Sequence, residues 1–228
     1  MISGLKELMR REGIDIFGAS DVGEAVPEAF KKLPYAITIG VRLSDAVLDG
    51  VKDGPTKNYF HHYRTANSFL DMCAIKCVVY LQREGYNAVA IPASQTTSGL
   101  RIAGDFQHKT AANLAGLGFI GKSALFISSE FGPRVRLATV FTDFKLQGGK
   151  MQQQQCGDCD LCAAACPCGA ITGKAWELGT QREELVDAAL CSRHMKQKYF
   201  GIGRGSVCGI CVSVCQYGVQ NRINKEQT

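Results

Sequence analysis

The chain has 228 residues, of which 46% are apolar, and its mean hydropathy is −0.04. These values are typical of a globular protein with an ordinary core. No stretch reaches 18 consecutive apolar residues, and the N-terminal segment lacks the apolar run and the cleavage site of a signal peptide. We therefore expect a cytoplasmic protein with no membrane partner. The net charge of +5 is compatible with nucleic-acid binding.

The first half of the chain alternates between helical and strand patterns. The N-terminal segment MISGLKELMRREGIDIF predicts a short amphipathic helix. Two buried strands are predicted at 15–20 (DIFGAS) and 35–41 (YAITIGV). A long helix is predicted from about Tyr59 to Glu84, because apolar residues recur there at helical spacing. The residues of this stripe are Leu70, Cys73, Ala74, Cys77, Val78 and Leu81.

Further elements are predicted up to a polar boundary. Gly85 ends the long helix, and a strand follows in AVAIPAS. A short helix is predicted in HKTAANLAGLG, and then two strands, FIGKSALFIS and VRLATVFTDF, joined by a turn around EFGPR. The alternation predicts a mixed α+β or α/β domain over residues 1–150. The polar stretch KLQGGKMQQQQ predicts a boundary before a second domain at 151–228.

Three glycines in AGLGFIGK have the spacing of a dinucleotide-binding loop: Gly116, Gly118 and Gly121. Such a loop requires a strand, a tight turn and then a helix, so that the helix N-terminus faces the pyrophosphate. Here a predicted helix enters the glycines and a predicted strand leaves them. The pattern therefore disfavours a nucleotide site, and we expect the glycines to end a helix and to permit a close backbone approach.

Most of the eleven cysteines fall between Cys156 and Cys215. In a reducing compartment, clustered cysteines usually bind metal rather than form disulfides. The segment CGDCDLCAAACP has the C-x2-C-x2-C-x3-C-P spacing of bacterial ferredoxins, in which the fourth cysteine binds the other of two clusters. Pairs of cysteines at this spacing also form zinc sites, but the third cysteine and the Cys-Pro ending favour iron–sulfur clusters.

A second motif, CGICVSVCQYG, is one cysteine short of the full pattern, and Cys191 is the expected supplier. Crossing the fourth ligands predicts two [4Fe–4S] clusters. The first is held by Cys156, Cys159, Cys162 and Cys215, and the second by Cys166, Cys191, Cys208 and Cys211. Eight thiolates and two cluster cores would together bring the formal charge close to neutral, so that the net charge no longer indicates nucleic acid.

The remaining thiols and one histidine have simpler interpretations. Cys168 is expected to be a packed thiol near a cluster, with ligand exchange as the alternative. Cys73 and Cys77 lie on the apolar stripe of the long helix and are expected in the core. His194 follows Cys191 by three residues, and we expect a surface or hydrogen-bonding role rather than metal binding.

The stretch AGLGFIGKSALFISSEFGPRVRLATVFTDFKL, followed by the two cysteine motifs, resembles the epoxyqueuosine reductase family, to which reductive dehalogenases are more distantly related. The resemblance implies a nitroreductase-like α/β domain that binds a corrinoid (cobalamin), followed by a ferredoxin-like domain with two [4Fe–4S] clusters. It also implies the same crossed ligation. By this resemblance, Gly116, Gly118, Gly121 and Lys122 belong to the part of the α/β domain that faces the corrinoid.

The sequence departs from the family pattern in three places. Ile102 stands where the family has an aspartate proposed as proton donor, and Asp105, reached by a shift in register, is the candidate catalytic acid. The sequence given stops at Thr228, whereas epoxyqueuosine reductases continue into a helical-repeat domain that helps bind tRNA. The second motif ends in Cys-Gln, where the family usually has Cys-Pro. The first two departures count against a tRNA substrate.

The predicted function is an iron–sulfur oxidoreductase that reduces a small molecule or a modified nucleoside. A ferredoxin- or flavodoxin-type donor would supply the electrons, and the corrinoid would carry the difficult chemistry. Besides Asp105, the other candidate acids are His108, Tyr59, Tyr63 and His61. Two alternatives stay open: an electron-transfer protein without a corrinoid, and a reductase of a partner protein's corrinoid.

Overall fold

The computed structural model describes residues 1–94 and 102–219. Its helices are α1 (Ile2–Arg11), α2 (Asp45–Leu48), α3 (Lys57–Arg83), α4 (His108–Leu114), α5 (Leu161–Ala164), α6 (Arg182–Leu185), α7 (Ala188–Lys198) and α8 (Ile210–Ser213). Its strands are β1 (Ile16–Asp21), β2 (Tyr35–Arg42), β3 (Ala88–Ile91), β4 (Gly118–Ile120), β5 (Phe126–Ser128) and β6 (Val135–Thr142). Within the described ranges, no helix combines the length and apolar character needed to cross a membrane.

The chain packs into two units, neither of which is continuous in sequence. Unit 1 comprises Met1–Arg42, Thr65–Leu117 and Arg136–Gln152, and unit 2 comprises Leu43–Arg64, Gly118–Val135 and Gln153–Thr228. The last crossing of the chain between units, after Gln152, lies two residues beyond the predicted boundary at 150/151. That boundary, as a division between two functional domains, stays a prediction.

Unit 1 is built on a four-stranded sheet in the order β1-β2-β6-β3. Strands β1 and β2 pair antiparallel, with Ile16 opposite Gly40, and β3 pairs antiparallel with β6, with Ala88 opposite Thr142. Residues of α1, α3 and the sheet form its main core. The predicted mixture of helix and sheet is confirmed.

Helix α3 agrees with the prediction of a long helix over 59–84. The predicted stripe is buried along its whole length: Leu70, Cys73, Ala74, Cys77, Val78 and Leu81. Gly85 follows the helix with φ +87°, a left-handed conformation that glycine adopts without steric cost. Cys73 and Cys77 are therefore core residues, and the Cys77 Sγ lies 3.2 Å from the Met9 Sδ.

The segment FIGKSALFIS forms a hairpin rather than the single strand that its apolar pattern predicts. Strand β4 pairs antiparallel with β5, with Gly118 opposite Ser128, and β6 lies in the larger sheet. Between the strands, the N–H of Gly121 donates to the carbonyl of Leu125 at 2.9 Å, and Ala124 adopts a left-handed φ of +57°. The prediction was wrong because the short polar break at residues 121–123 is enough to reverse the chain.

Unit 2 contains this hairpin, short helices and the cysteine-rich segment. Its small core packs Ile120 and Ala124 of the hairpin region against Leu185, with Trp176 and Val186 at the edge. An isolated antiparallel bridge joins Ile171 to Val186. Because regular structure is sparse here, we expect loops and bound groups to contribute much of the stability of this unit.

Candidate iron–sulfur site

The first cysteine motif occupies a tight loop followed by the single-turn helix α5. The Gln154 side chain accepts a hydrogen bond from the N–H of Cys156 at 2.8 Å, and the N–H of Cys159 donates to the carbonyl of Cys156 at 3.0 Å. The cysteines of the loop are partly buried and none forms a disulfide. This arrangement presents several thiols on a short, curved stretch of backbone.

Four thiols form a first cysteine set: Cys156, Cys159, Cys162 and Cys215. Burial raises the pKa of Cys162, and the thiolates of Cys156 and Cys159 raise it further. Burial is the main cause of a pKa of about 11 at Cys215, and the thiolates of Cys156 and Cys162 contribute to this value. Cys215, from the second motif, therefore lies close enough to the first motif to interact with its thiolates.

A second cysteine set comprises Cys166, Cys168, Cys191, Cys208 and Cys211. Burial is the main cause of a pKa of about 12 at Cys211, and the thiolates of Cys208 and Cys191 contribute to this value. Burial likewise raises the pKa of Cys191 to about 11, with contributions from Cys168 and Cys208. The pKa of Cys208 is raised mainly by burial, and the thiolate of Cys166 raises it as well. Cys166, from the first motif, therefore belongs to the second cysteine set.

Cys168 is the additional thiol of the second set. Its Sγ lies 3.9 Å from the Sγ of Cys166, as expected for a packed thiol near the ligands. The backbone N–H of Ala170 donates to the Cys166 Sγ at 3.3 Å. Burial raises the pKa of Cys166, but hydrogen bonds from the backbone N–H groups of Cys168, Ala170 and Ile171 outweigh it and lower the pKa overall.

The donor chemistry of the two sets fits [4Fe–4S] clusters. Each cubane takes four thiolates, one on each iron, and so keeps its ligands farther apart than a single metal ion does. In residues 1–94 and 102–219, no three His, Cys, Asp or Glu side chains are gathered closely enough to hold a single ion. Metal binding would ionise these thiols and so oppose the effect of burial on their pKa values.

The end of the second motif is held against the first by Tyr217, which sequence reasoning missed. Its hydroxyl donates to the carbonyl of Gln155 at 2.6 Å, directly before Cys156. Its ring contacts the Phe119 ring edge-on, with centroids 5.3 Å apart. The available signal was the sequence Cys-Gln-Tyr-Gly, which stands where the family usually has Cys-Pro.

A buried arginine packs against the chain that follows Cys215. The side chain of Arg134 is 3% exposed, and its Nη1 lies 2.9 Å from Asp45 and 3.1 Å from Asp49. A Cβ added to Gly218 would approach the Arg134 Nε to 2.9 Å, so the chain just beyond Cys215 packs directly on the guanidinium. Arg134 therefore supports the backbone that carries Cys215.

His194 lies one turn after Cys191 on α7. Its ring contacts the Tyr199 ring edge-on at 5.5 Å. Its Nε2 is buried, and in the part of the chain that the structure describes it has no hydrogen-bond partner. The expected hydrogen-bonding role is therefore not seen at Nε2, and the ring serves in packing.

The glycine segment has the order helix, turn, strand, as the sequence predicts, because α4 ends at Leu114 and β4 begins at Gly118. Gly116 has φ +73°, and a Cβ there would lie 3.0 Å from the carbonyl oxygen of Lys150. A Cβ on Gly118 would lie 2.1 Å from the carbonyl oxygen of Ile127. The close approach expected at these two glycines is thus made by the chain itself.

Gly121 lies beside the first cysteine set. A Cβ on Gly121 would come 3.0 Å from the Ile127 Cγ1 and 3.5 Å from the Cys156 Sγ. Lys122 is partly buried. Because the space around the glycines is filled by the protein, they form no open cradle among the described residues, and their role in holding a corrinoid stays a prediction.

The candidate acids of unit 1 differ in environment. Asp105 and Ile102 are both exposed. The His108 Nδ1 lies 2.9 Å from the Thr139 hydroxyl, and its Nε2 lies 3.0 Å from the carbonyl oxygen of Pro92. Burial lowers the pKa of His108 to about 4. A histidine with this pKa is neutral near pH 7 and has both nitrogens occupied, which makes it a poor proton donor.

The candidate acids of unit 2 lie at the start of α3. Tyr59 is buried, and a Cβ on Gly209 would approach its ring to 2.6 Å, so Tyr59 packs against the backbone of the residue that follows Cys208. The Tyr63 ring lies 6.4 Å from the Tyr59 ring. His61 is exposed. These contacts account for Tyr59 as a packing residue, while a catalytic role of the others stays a prediction.

Comparison with known families identifies the type of domain that the cysteine region forms. A family model described as a 4Fe-4S double cluster binding domain matches residues 155–218. This range includes both cysteine sets. The chain therefore binds two [4Fe–4S] clusters, as the motif spacing predicts.

Comparison with known proteins extends the relationship to the rest of the chain. The tetrachloroethene reductive dehalogenase of Desulfitobacterium hafniense is 32% identical over 229 residues, covering 93% of this chain and 38% of that protein. The epoxyqueuosine reductase of Synechocystis sp. is 31% identical over 123 residues, covering 50% of this chain and 40% of that protein. The chain is therefore similar both to epoxyqueuosine reductases and to reductive dehalogenases. It spans about two fifths of the length of these curated relatives.

Solved structures of both groups share the fold of this chain. A selenomethionine-labelled epoxyqueuosine reductase matches with a TM-score of 0.64 and 18% identity, over 96% of this chain and 66% of the other. A catabolic reductive dehalogenase in complex with 3-bromo-4-hydroxybenzoic acid matches with a TM-score of 0.74 and 20% identity, over 97% and 33%. These structures show that the mixed α/β fold is shared.

Proposed function

We propose that this chain is a reductase that passes electrons from its two [4Fe–4S] clusters to a corrinoid, which supplies the chemistry that reduces the substrate. The observation that carries the proposal is the presence of two cysteine sets within a double-cluster match, on a chain related to reductases over 93% of its length. A protein that only carried electrons would need little more than residues 155–218.

We propose crossed ligation of the two clusters. Cys156, Cys159, Cys162 and Cys215 hold one cluster, and Cys166, Cys191, Cys208 and Cys211 hold the other. The grouping of the thiols supports this assignment, since each motif sends its last cysteine to the set formed by the other motif. We propose residues 151–228 as the ferredoxin-like domain and residues 1–150 as a nitroreductase-like domain.

The corrinoid is proposed because the chain is similar to reductive dehalogenases and epoxyqueuosine reductases. A solved reductive dehalogenase that shares the fold is described as suggesting a mechanism for B12-dependent dehalogenation. We propose Gly116, Gly118, Gly121 and Lys122 as neighbours of the corrinoid in this chain. The position of Gly121 beside Cys156 supports this proposal, because it brings the segment next to the first cysteine set.

We propose Asp105 as the proton donor. Its carboxyl group is exposed and lies just before α4, whereas the nearby His108 is neutral and engaged through both ring nitrogens. The substrate class that we propose is a small organic molecule or a modified nucleoside. One epoxyqueuosine reductase structure contains a modified tRNA stem loop, which makes tRNA the alternative to test.

We propose the cytoplasm as the location of the protein. All eleven cysteines are free, and clustered thiols that bind metal are typical of a reducing compartment. An external one-electron donor of the ferredoxin or flavodoxin type is part of the same proposal.

The deciding experiment is anaerobic purification in the presence of cobalamin, followed by measurement of iron, sulfide and cobalt per chain. About eight irons with one cobalt would support the proposed reductase. About eight irons without retained cobalt would favour the second candidate, an electron-transfer protein, or the third, a reductase of a partner's corrinoid. Reduction of a partner's corrinoid in a mixed assay separates these two, and zinc in place of iron would overturn all three.

A further inference from the structure

The segment between Cys191 and Cys208 carries positive charge without compensation. It contains Arg193, Lys196, Lys198 and Arg204, and no acidic residue occurs from 188 to 225. All four cations are exposed. None of the four forms an ion pair with a carboxylate in the described residues.

An exposed aromatic side chain belongs to the same stretch of the chain. Phe200 lies two residues beyond the end of α7 and is 67% exposed, whereas soluble proteins usually bury most of a phenylalanine. Aromatic and arginine side chains are enriched in protein interfaces. We call the exposed residues of this stretch, Arg193, Lys196, Lys198, Phe200 and Arg204, the cationic surface.

The backbone at Arg204 is strained. Gly203, Arg204 and Gly205 have φ values of +58°, +56° and +67°, and arginine is disfavoured in this left-handed region. A Cβ on Gly205 would lie 2.3 Å from the carbonyl oxygen of Met195, so the turn presses against α7. The conformation leaves the Arg204 side chain exposed. Strain of this kind is retained mainly where a residue has a function.

Helix stabilisation explains only part of the charge. Lys196 and Lys198 lie in the last turn of α7, where cations interact favourably with the helix dipole. Arg193 lies in the middle of the helix and Arg204 lies beyond it. Two carboxylates border the segment, since Asp187 caps α7 and Asp53 lies beside Tyr199. The cationic surface itself contains none.

The cationic surface is adjacent in the chain to the second cysteine set on both sides. Arg193 lies two residues after Cys191, and Arg204 lies four residues before Cys208. Cys191 and Arg193 lie on the same helix, α7, and the turn at Gly205 packs against the backbone of Met195 on that helix. A protein that binds the cationic surface is therefore held beside the second cysteine set.

We propose that the cationic surface is the docking site of an acidic one-electron donor protein, such as a ferredoxin, which reduces the cluster held by the second cysteine set. This inference rests on the proposed function. In the transfer, one electron leaves the reduced donor, which is oxidised, and enters a [4Fe–4S]2+ cluster, which becomes [4Fe–4S]1+. No bond or proton changes place. Opposite charges on the two surfaces steer the encounter.

The test uses an acidic plant-type [2Fe–2S] ferredoxin as the probe. The purified holoprotein is mixed with reduced ferredoxin in the absence of oxygen. The decrease in the absorbance of the holoprotein's own clusters is then followed in time. The variants are the triple substitution R193Q/K196Q/K198Q and the single substitution Arg204→Gly. The matched control is K6Q/K32Q/K145Q, which removes three exposed cations from unit 1.

We expect the triple variant to slow reduction by ferredoxin at least about tenfold at low ionic strength, and the control to stay within about twofold of the wild type. Arg204→Gly should slow it about threefold, while its thermal midpoint stays at or above that of the wild type because strain is relieved. Reduction by dithionite should be unchanged in every variant. Carbodiimide treatment should form amide bonds between Lys196 or Lys198 and carboxylates of the ferredoxin, with loss of water.

Equal rates for the wild type and the triple variant would overturn the docking surface. The docking surface would also be overturned if a tRNA stem loop needed these cations in order to bind, while reduction of the protein by ferredoxin did not need them. Failure of dithionite to reduce any cluster, or iron well below about eight per chain, would instead contradict the proposed function. In that case, calorimetric binding of oxidised ferredoxin to the wild type and the triple variant still decides whether the surface docks the donor.

Discussion

The Sγ atoms of Cys166 and Cys168 lie 3.9 Å apart, so the second cysteine set contains five thiols, whereas a cluster takes four. The backbone N–H of Ala170 donates to the Cys166 Sγ at 3.3 Å, and such N–H···S bonds are typical of cluster ligands. Cys168 contacts Cys166. The geometry favours Cys166 as the ligand and Cys168 as its packing neighbour.

Replacing Cys168 by serine should therefore leave both clusters in place. We expect about eight irons per chain in Cys168→Ser, and about four in Cys191→Ser, which removes a proposed ligand. Iron analysis and electron paramagnetic resonance of the reduced proteins provide the measurement. Cys77→Ser is the control for loss of a thiol from the core, and it should keep its iron.

The opposite result would reverse the assignment. If Cys168→Ser lost a cluster while Cys166→Ser kept both, Cys168 would be the ligand. Equal loss in both variants would indicate that the two thiols exchange.

Replacing Arg134 by methionine should destabilise unit 2. The guanidinium is buried, pairs with Asp45 and Asp49, and supports the backbone at Gly218. Removing one partner of a buried ion pair leaves the other uncompensated, and we expect a loss of about 3 kcal/mol in the free energy of unfolding. Urea unfolding followed by the fluorescence of Trp176, the only tryptophan, measures the change.

Lys174→Gln is the matched control, since it breaks an exposed ion pair with Glu184 in the same unit. Its cost should stay below about 1 kcal/mol because water screens the pair. Equal effects in the two variants would show that burial of Arg134 contributes nothing to stability.

Replacing Gly118 by alanine should disrupt the β4–β5 hairpin. The new Cβ would lie 2.1 Å from the carbonyl oxygen of Ile127, on the paired strand. We expect a loss of more than about 3 kcal/mol, because the two strands must move apart. The comparison is Gly179→Ala, where φ is +94° and no atom lies within 4 Å of the new Cβ.

Gly179→Ala should cost only about 1–2 kcal/mol, the penalty of a left-handed alanine. Trp176 fluorescence reports both variants, because Trp176 packs at the core that contains Ile120. A mild effect of Gly118→Ala would contradict the close approach of the two strands.

His108 should make the stability of the protein depend on pH. Burial lowers the pKa of His108 in the folded state to about 4, from an ordinary value of 6.5. Between these values the unfolded chain binds a proton that the folded protein does not, so stability is complete above pH 7 and falls toward pH 4. From pH 7 to pH 5 the contribution of His108 falls by about 2 kcal/mol.

Urea unfolding followed by circular dichroism at pH 7 and pH 5 measures this slope. The slope should be smaller in His108→Gln, which keeps a polar side chain but does not titrate. Nuclear magnetic resonance of the histidine rings should show the His108 signal titrating near pH 4. A midpoint near 6.5 would show that the ring is not held neutral by burial.

Several features of this protein are readable in the sequence because they depend on neighbouring residues. The six-residue stripe of α3 repeats at helical spacing, and Gly85 marks its end with a conformation that glycine tolerates best. The ferredoxin spacing predicts two clusters because two-residue gaps let a short loop present several thiols to one cubane. Family resemblance followed from the same motifs.

Other features depend on contacts between distant segments. The reversal at Gly121 was missed because apolar residues continue on both sides of it, and no local pattern separates one strand from a hairpin of two. The pairing of Arg134 with Asp45 and Asp49 joins residues more than eighty positions apart. The two packing units are likewise assembled from separate stretches of the chain.

The sequence by itself determined the number and spacing of the thiols, the long helix and the family resemblance, because each of these depends on the local order of residues. Only the tertiary structure decided which thiols lie together, which atoms fill the space beside Gly116 and Gly118, and that His108 is held neutral. Burial and close approach arise from residues that meet only on folding. For that reason, the cationic surface between Cys191 and Cys208 became visible only when exposure and backbone strain were known.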